Sequence, residues 1–350
     1  MPRTEQTEDA TSPIPLVTIG WIHPFLEILE EVGAPFDAIL ERAQLPSLSL
    51  DDPSTLVPTT KIYRFVAMAA SETEMPDLGL LAGSRLDLDS LLPDAERSWI
   101  RPGVFRSIKN FIGVALETSS NVELWIDTRP GPEPVTEFFY LGTFGTDHPA
   151  FPAVEQYMVA LMVRWIRYGT IPRWNPNQVN LRAASVPEAT LRSLVGDAEI
   201  RSEQTVTSIV FPAQSFMGPL EDLPRRGSSV WKRHRDSLRS ATGSRDLAAS
   251  LRVVLPAYLP DGSPTIQQAA NLAGTSVRTL QRRLDEEDVT YSQLLEDLRH
   301  DLAIYLLRDS DRDISAVSRE LGYRDPAIFT RAFRRWTGQT PSQYRRKFPT

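Results

Sequence analysis

The chain has 350 residues and a net charge of −7, with 41% hydrophobic, 24% charged and 9% aromatic residues. This size and composition leave room for two or three domains and exclude a fibrous or wholly disordered protein. The absence of cysteine excludes disulfide bonds, cysteine-ligated metal centres and thiol nucleophiles, and the absence of long apolar runs predicts a cytoplasmic protein that does not associate with membranes.

Charge is distributed unevenly along the chain. Residues 1–225 carry 17 basic and 30 acidic side chains, a net charge of −13, whereas residues 226–350 carry 21 and 15, a net charge of +6. A basic final third joined to an acidic first part predicts two functions, with the basic part available to a polyanion such as DNA.

The chain begins with a polar segment, residues 1–13, that we predict to be loose. From Ile14 to about Leu45 apolar residues recur at helical spacing, and the break at Gly33 to Pro35 divides this pattern into two helices. A third helix is predicted to begin at Pro58.

Strands are predicted in the middle of the chain. The alternating segments 121–127 and 135–140 flank a Pro-Gly turn, which indicates a β-hairpin. A long helix at about 152–168 follows, and further strand candidates lie around residues 178–184, 198–203 and 206–211. Residues 14–220 therefore predict one α+β domain.

Strand patterns end after this domain. Residues 219–228 are rich in proline, glycine and charge, so we place a linker at residues 221–245. Residues 246–350 contain only helical patterns separated by short turns and predict an all-α domain.

Residues 265–285 have the pattern of a helix-turn-helix motif. Such a motif needs a small residue where its helices cross, a small residue at the turn and an apolar anchor in the second helix, and Ala270, Gly274 and Leu280 meet these needs. Ser276 is a good N-cap for the second helix. Its outward positions are occupied by Arg278, Thr279, Gln281, Arg282 and Arg283. Arginine and glutamine are side chains that read guanine and adenine edges in the major groove.

Residues 313–335 repeat the motif. Gly322 marks a turn one residue longer than the first, and Asp325 followed by Pro326 predicts a helix start. Ile328, Phe329 and Phe333 are predicted to form the buried stripe of this helix. Ala327, Thr330, Arg331, Arg334 and Arg335 are predicted to point outward or sideways.

An amphipathic helix over residues 291–308 is predicted between the two motifs. A rod of this kind holds two recognition helices at a fixed separation, which suits entry into successive major grooves on one face of DNA. Two motifs joined by a helical spacer in the basic third of the chain predict a domain that binds double-stranded DNA.

Residues 246–347 resemble the DNA-binding domain of the AraC/XylS family of bacterial transcription regulators. The resemblance rests on the segments AGTSVRTLQRRLDEED, LRHDLAIYLLRDSD and LGYRDPAIFTRAFRRWTGQTPSQYRRK. Residues 14–220 resemble, more faintly, an α+β effector-sensing domain of one branch of that family, through PFDAILERAQLP and the Leu-Val-Pro at 56–58. The resemblance implies a sequence-specific regulator of promoters that responds to a small-molecule effector, contacts RNA polymerase and binds as a homodimer.

The resemblance also implies which residues contact bases. In the first recognition helix they fall on Arg278, Gln281 and Arg282. In the second they fall on Pro326, Ala327, Thr330 and Arg331, where proline and alanine depart from the usual polar residues. We therefore expect less base reading by the second helix than by the first. Arg283, Arg334 and Arg335 are candidates for phosphate contact.

The sensor offers only weak ligand-binding candidates. Several aromatic residues would line a pocket or simply form the core, namely Trp21, Phe25, Trp99, Phe105, Phe111, Trp125, Phe138 and Trp165. Residues 97–109 concentrate basic side chains, among them Arg101 and Lys109, which suit an anionic ligand, a contact with the acidic spacer helix or a solvated surface.

Two other functions remain open from the residues alone. An enzyme with an attached DNA-binding domain is disfavoured, because no nucleotide-binding glycine motif, metal-ligand spacing or nucleophile motif occurs and the four histidines are dispersed. We therefore predict no catalysis, no metal and no cofactor. A constitutive regulator whose first domain only dimerises is the stronger alternative.

Overall fold

The computed structural model describes residues 14–46, 52–88, 104, 108–109, 111–113, 115, 119, 122–142, 144–168, 174–215, 247–309 and 312–347. The loose segment predicted for residues 1–13 and the linker predicted for residues 221–245 lie outside the described residues. Within them, an α+β domain is followed by an all-helical domain, which confirms the predicted fold class.

The first domain opens with a two-stranded antiparallel ribbon. Its strands are β1 (Leu16–Thr18) and β2 (Leu56–Pro58), and Val17 pairs with Val57. The prediction of a helix from Ile14 was wrong over β1, because pairing with a strand some forty residues later is invisible to local spacing. The helices around the ribbon are α1 (His23–Glu31), α2 (Phe36–Ala43), α3 (Thr59–Thr73) and α4 (Leu78–Arg85).

A five-stranded sheet forms the other part of this domain, in the order β3-β4-β7-β5-β6. The strands are β3 (Glu123–Arg129), β4 (Val135–Leu141), β5 (Gln178–Asn180), β6 (Glu199–Arg201) and β7 (Thr207–Pro212). The predicted hairpin is confirmed, with Trp125 paired to Phe139, and only β5 and β6 run parallel. The helices α5 (Phe151–Tyr168) and α6 (Glu188–Val195) accompany the sheet.

Helix α5 is held on one side by a close crossing with α4. A Cβ atom at Gly79 would lie 1.9 Å from the carbonyl oxygen of Ala153, and one at Gly83 would lie 2.7 Å from the Cβ of Ala160. Glycines one turn apart therefore let the two backbones approach where any side chain would keep them apart.

On its other side α5 is fixed to the sheet by a buried carboxylate. Glu155 is 1% exposed and accepts hydrogen bonds from the backbone N–H groups of Arg182 (2.7 Å) and Ala183 (3.0 Å) and from the hydroxyl of Thr207. Burial raises the pKa of Glu155 despite these bonds. The satisfied carboxylate fixes the position of the helix along the sheet.

The second domain consists of seven helices within the described residues. They are α7 (Leu247–Tyr258), α8 (Ile266–Leu272), α9 (Val277–Glu286), α10 (Tyr291–Asp309), α11 (Ile314–Glu320), α12 (Pro326–Thr337) and α13 (Pro341–Arg345). Side chains of α7, α8, α9 and the first half of α10 form one core, and those of α11, α12 and the second half of α10 form another. Leu302 in the middle of α10 contacts both cores.

The ribbon of the first domain is packed into the first of these cores. Leu16 is fully buried among residues of α7, α8 and α9, and the backbone N–H of Ile14 donates to Ser250 Oγ on α7 (3.3 Å). Because successive side chains of a strand point to opposite faces, Val17 packs instead into the sensor core. The ribbon is thus a wall shared by the two domains.

Candidate DNA interface and sensor cavity

The first helix-turn-helix unit consists of α8 and α9. Ala270 and Leu280 are fully buried where the helices meet, and Gly274 at the turn has a φ of +63°, which favours glycine. Ser276 caps α9, since its Oγ accepts from the backbone N–H of Thr279 (3.1 Å). These four predicted roles are confirmed.

Not all of the side chains predicted to point outward from α9 are exposed. Arg278, Gln281 and Arg282 are exposed on one face, and Arg282 forms an ion pair with Glu286 one turn later. Thr279 is half-buried and its hydroxyl lies 2.9 Å from Ser276 Oγ. Arg283 is also half-buried. Three of the five predicted side chains are therefore exposed on this helix.

The second unit, α11 and α12, has the predicted longer turn. Gly322 begins it with a φ of +77°. Asp325 caps α12 by accepting from the backbone N–H of Ala327 (2.8 Å), and Pro326 is the first helical residue. Ser318 stands at the crossing and is fully buried, and its hydroxyl has no partner among the described residues.

The buried stripe of α12 is made by Phe329 and Phe333, both fully buried, but not by Ile328. Ile328 is 45% exposed, so its predicted burial was wrong. Successive helix residues are turned by about 100° from each other, so a stripe centred on Phe329 and Phe333 turns Ile328 outward. Ala327 and Ile328 thus form an exposed apolar end of the helix.

The polar side chains of α12 differ in availability. Arg335 Nη2 and Trp336 Nε1 both donate to Glu296 Oε1 on α10, each at 2.6 Å, and these bonds lower the pKa of Glu296. Thr330 is half-buried and its hydroxyl donates to the carbonyl oxygen of Pro326 (2.9 Å). The side chains of Arg331 and Arg334 are exposed.

Helix α10 connects the two units rigidly, as predicted for the spacer. The hydroxyl of Tyr291 donates to the carbonyl oxygen of Pro264 at the start of the first unit (2.7 Å). Further along, Arg299 Nε donates to the carbonyl oxygen of Leu321 at the turn of the second (3.0 Å), and its guanidinium lies 4.6 Å from the ring centre of Tyr323. Both helix-turn-helix units are therefore hydrogen-bonded to the same helix, α10.

The two turn glycines differ in how closely other parts of the domain approach them. A Cβ at Gly322 would lie 2.7 Å from the carbonyl oxygen of Leu259, in the segment that follows α7, whereas one at Gly274 would meet nothing within 4 Å. Both substitutions by alanine strain a positive φ, by about 1 kcal/mol. We expect Gly322→Ala to destabilise the full chain by about 1–3 kcal/mol more than Gly274→Ala in urea unfolding, because of the added clash. Equal losses would contradict the close approach of the second unit's turn to the segment that follows α7.

The sensor domain contains a cavity beneath the ribbon. Its volume is about 70 Å³. The lining residues are Val17, Trp21, Phe25, Thr59, Ile62, Tyr63, Val66, Ala115, Ser119, Val122, Tyr140, Val154, Tyr157 and Met158. Trp21 and Phe25 were predicted as weak ligand candidates, and both lie here against Tyr157, with ring centres 5.7 and 5.3 Å from it.

None of the other predicted ligand residues that the structure describes lines this cavity. Arg101, Trp99 and Phe105 are outside the described residues, and Lys109 is exposed and does not line the cavity. The remaining aromatic candidates pack in the core or on the sheet, where Phe111 contacts Phe138 and Trp165, and Trp125 stacks on Phe139.

Three tyrosines of the cavity were missed by sequence reasoning. Tyr63 and Tyr140 are hydrogen-bonded to each other, and burial raises the pKa of both. The hydroxyl of Tyr157 is buried and has no partner among the described residues. Nothing in the sequence distinguishes these tyrosines from core aromatics. The hydrogen bond between Tyr63 and Tyr140, and the lack of one at Tyr157, become visible only in the folded chain.

A second, polar cleft lies between the domains, with a volume of about 830 Å³. It is lined by charged side chains of both, including Asp37, Glu41, Lys61, Asp261 and Arg324. Within the described ranges, no three histidine or carboxylate side chains are grouped so as to hold a metal ion. No helix of those ranges has the length and apolarity needed to span a bilayer.

Comparison with known proteins gives two family matches. Residues 33–220 match the arabinose-binding N-terminal domain of the AraC transcription regulator, and residues 269–347 match a helix-turn-helix domain.

The chain is similar along nearly its whole length to the ornithine utilization regulator of Pseudomonas aeruginosa, with 25% identity over 340 residues, 94% of this chain and 96% of that protein. It is 33% identical over 181 residues to the transcriptional activator RhaR of Escherichia coli, covering 51% of this chain and 62% of RhaR. Among solved structures, the transcriptional regulator CdpR from Pseudomonas aeruginosa aligns over 89% of this chain and 96% of its own, with 19% identity and a TM-score of 0.35.

Proposed function

We propose a function from the premise that the chain belongs to the AraC family of transcription regulators. In this proposal the second domain binds specific promoter DNA through α9 and α12. A small molecule bound to the first domain changes the affinity of the second domain for that DNA. The observation that carries the proposal is the pair of helix-turn-helix units, each with an exposed basic recognition helix, fixed to α10.

Base reading is assigned unequally to the two helices. Arg278, Gln281 and Arg282 on α9 are the long, exposed side chains that suit guanine and adenine edges. On α12 the apolar end at Ala327 and Ile328 suits thymine methyl groups, and Arg331 and Arg334 suit bases or phosphates. Thr279, Arg283, Thr330 and Arg335 are engaged or half-buried, which supports a positioning role for them.

Effector response is supported by the ribbon. Val17 lines the sensor cavity, while its neighbour Leu16 is buried in the core that holds α9 in place. A ligand changes an equilibrium only if it binds one arrangement more tightly than the other. A molecule that favours one position of β1 would therefore favour one arrangement of α7 against the first unit. Homodimer formation and contact with RNA polymerase belong to the same proposal.

A matched pair of arginine substitutions tests the base-reading assignment. Arg282→Ala and Arg335→Ala each remove one positive charge, but only Arg282 is assigned to a base. We expect Arg282→Ala to weaken binding to a duplex selected from random sequence by about 1–3 kcal/mol, roughly 5- to 150-fold, with a much smaller loss on a scrambled duplex. Fluorescence anisotropy at one fixed salt concentration gives both affinities.

Arg335→Ala is expected to change both affinities slightly and to the same extent, because its guanidinium already binds Glu296. Equal losses on the two duplexes for Arg282→Ala would show that Arg282 contacts phosphate. A full-length chain with no preference for any selected duplex would refute the proposed function.

A further inference from the structure

The sensor cavity points to the chemical class of the effector. We propose that it binds a small, neutral and mostly apolar molecule that carries one oxygen acceptor. This inference rests on the proposed function, in which the first domain senses a ligand, and it names the site and the ligand class.

The described wall of the cavity carries no charged side chain. Most of its residues are aliphatic or aromatic, and its polar side chains are hydroxyls apart from the indole of Trp21. Among these, Tyr63 and Tyr140 bond each other. The guanidinium groups of Arg164 and Arg182 act on Tyr157 and on the Tyr63–Tyr140 pair, but neither lines the cavity. A carboxylate or ammonium group placed there would therefore lose its hydration without a charged partner in the described wall, and such burial is unfavourable.

One hydroxyl of the wall is available. Tyr157 is 5% exposed, and its hydroxyl lacks a partner among the described residues. Its ring is held between Trp21 and Phe25, so the hydroxyl has a fixed direction. Burial raises the pKa of Tyr157 far above its ordinary value, so the phenol keeps its proton and can donate it. A ligand oxygen would satisfy a buried group that otherwise goes without a hydrogen bond.

These properties do not suit the two ligands that the names of similar proteins mention, arabinose and ornithine. A sugar such as arabinose needs several partners for its hydroxyls, and ornithine needs partners for two ammonium groups and a carboxylate. The polar cleft between the domains has charges of both signs, but the cavity beneath the ribbon does not. The cavity is about 70 Å³, roughly half the size of a void known to bind benzene, so the occupant is small.

The test uses two probes of the same shape on the full-length protein. These are acetone and 2-methylpropene, in which a methylene group replaces the ketone oxygen. Binding is followed by saturation-transfer NMR, with thermal shift as a second readout. We expect the wild-type chain to prefer the ketone, and Tyr157→Phe to lose about 2- to 10-fold of ketone affinity while keeping its alkene affinity.

Two further variants locate the site. Tyr258→Phe removes another buried hydroxyl that lacks a partner among the described residues, in the second domain, and should leave ketone binding unchanged. Val66→Phe fills the cavity from α3 and should abolish binding of both probes. An unchanged circular dichroism spectrum and unchanged DNA affinity of Val66→Phe would show that the variant is folded.

Several outcomes would overturn the inference. Ketone binding that survives Val66→Phe lies elsewhere, and a response to L-arabinose or L-ornithine that depends on Tyr157 would show that the ligand class is wrong. If neither probe bound the wild-type chain by either readout, the inference would fail, and a first domain that only dimerises would be favoured. DNA affinity measured in parallel separates these results from a failure of the proposed function, which would appear as loss of sequence-specific binding without any probe.

Discussion

Leu16→Ala is expected to loosen the DNA-binding domain, although Leu16 lies at the opposite end of the chain. Leu16 is fully buried in the core formed by α7, α8 and α9, and truncation of a buried leucine costs about 2–5 kcal/mol. The loss should appear in the full-length protein as faster hydrogen exchange of the amides of α7 and as weaker binding to the selected duplex. Hydrogen exchange followed by mass spectrometry locates the effect.

Val17→Ala is the matched control on the same strand. Val17 faces the sensor core and the cavity, so its truncation should speed exchange in the first domain and leave α7 protected. If the two variants had the same effect on α7, the ribbon would act as one body and its two faces would have no separate roles.

The second large effect is expected at the crossing of α4 and α5. A Cβ at Gly79 would lie 1.9 Å from the carbonyl oxygen of Ala153, a contact that no rotamer change relieves because the Cβ position is fixed by the backbone and the oxygen belongs to the backbone. Gly79→Ala should therefore destabilise the full chain by about 3 kcal/mol or more, since overpacking of a tight core costs about 1–3 kcal/mol even where side chains can move. Urea unfolding followed by tryptophan fluorescence measures the loss.

Gly113→Ala provides the comparison, since a Cβ there would meet nothing within 4 Å. Alanine is a better helix former than glycine, so this variant is expected to be neutral or slightly stabilising. Since α5 also carries Tyr157, Gly79→Ala should in addition weaken binding of any probe that occupies the cavity. A stable Gly79→Ala variant would contradict the close crossing.

The helical domain was largely predictable because its determinants are local. The caps at Ser276 and Asp325 and the glycine turns at 274 and 322 act within a few residues of their positions, so their patterns are visible in the sequence. The exposure of Ile328 was not, because it depends on which side of α12 packs against α10.

The sensor was predictable only in part. The hairpin of β3 and β4 has a short turn and a regular alternation, and the structure confirms it. Helix α4 was missed because its glycines weaken the helical pattern. Their role, the close packing of α4 against α5, is visible only in the structure. The pairing of β1 with β2 and the hydrogen bond from Ile14 to Ser250 join segments far apart in sequence, and no local pattern encodes such contacts.

The ion pair that engages Arg335 was equally hidden. Arg335 and Glu296 lie on different helices, so the sequence presented Arg335 as a free cation. Side chains drawn outward on a helical wheel are therefore candidates for DNA contact until their neighbours in the folded domain are known.

The shared wall has a consequence for the exchange of parts between regulators. A chimera joined in the linker would combine a ribbon from one parent with α7 from another, and Leu16 would meet a pocket shaped for a different side chain. Recombination at that point is expected to yield regulators that fold poorly or ignore their inducer. Functional exchange would require Ile14, Leu16 and Leu56 to match the helical domain, so these positions should coevolve with α7, whereas Val17 and Val57 should coevolve with the first domain.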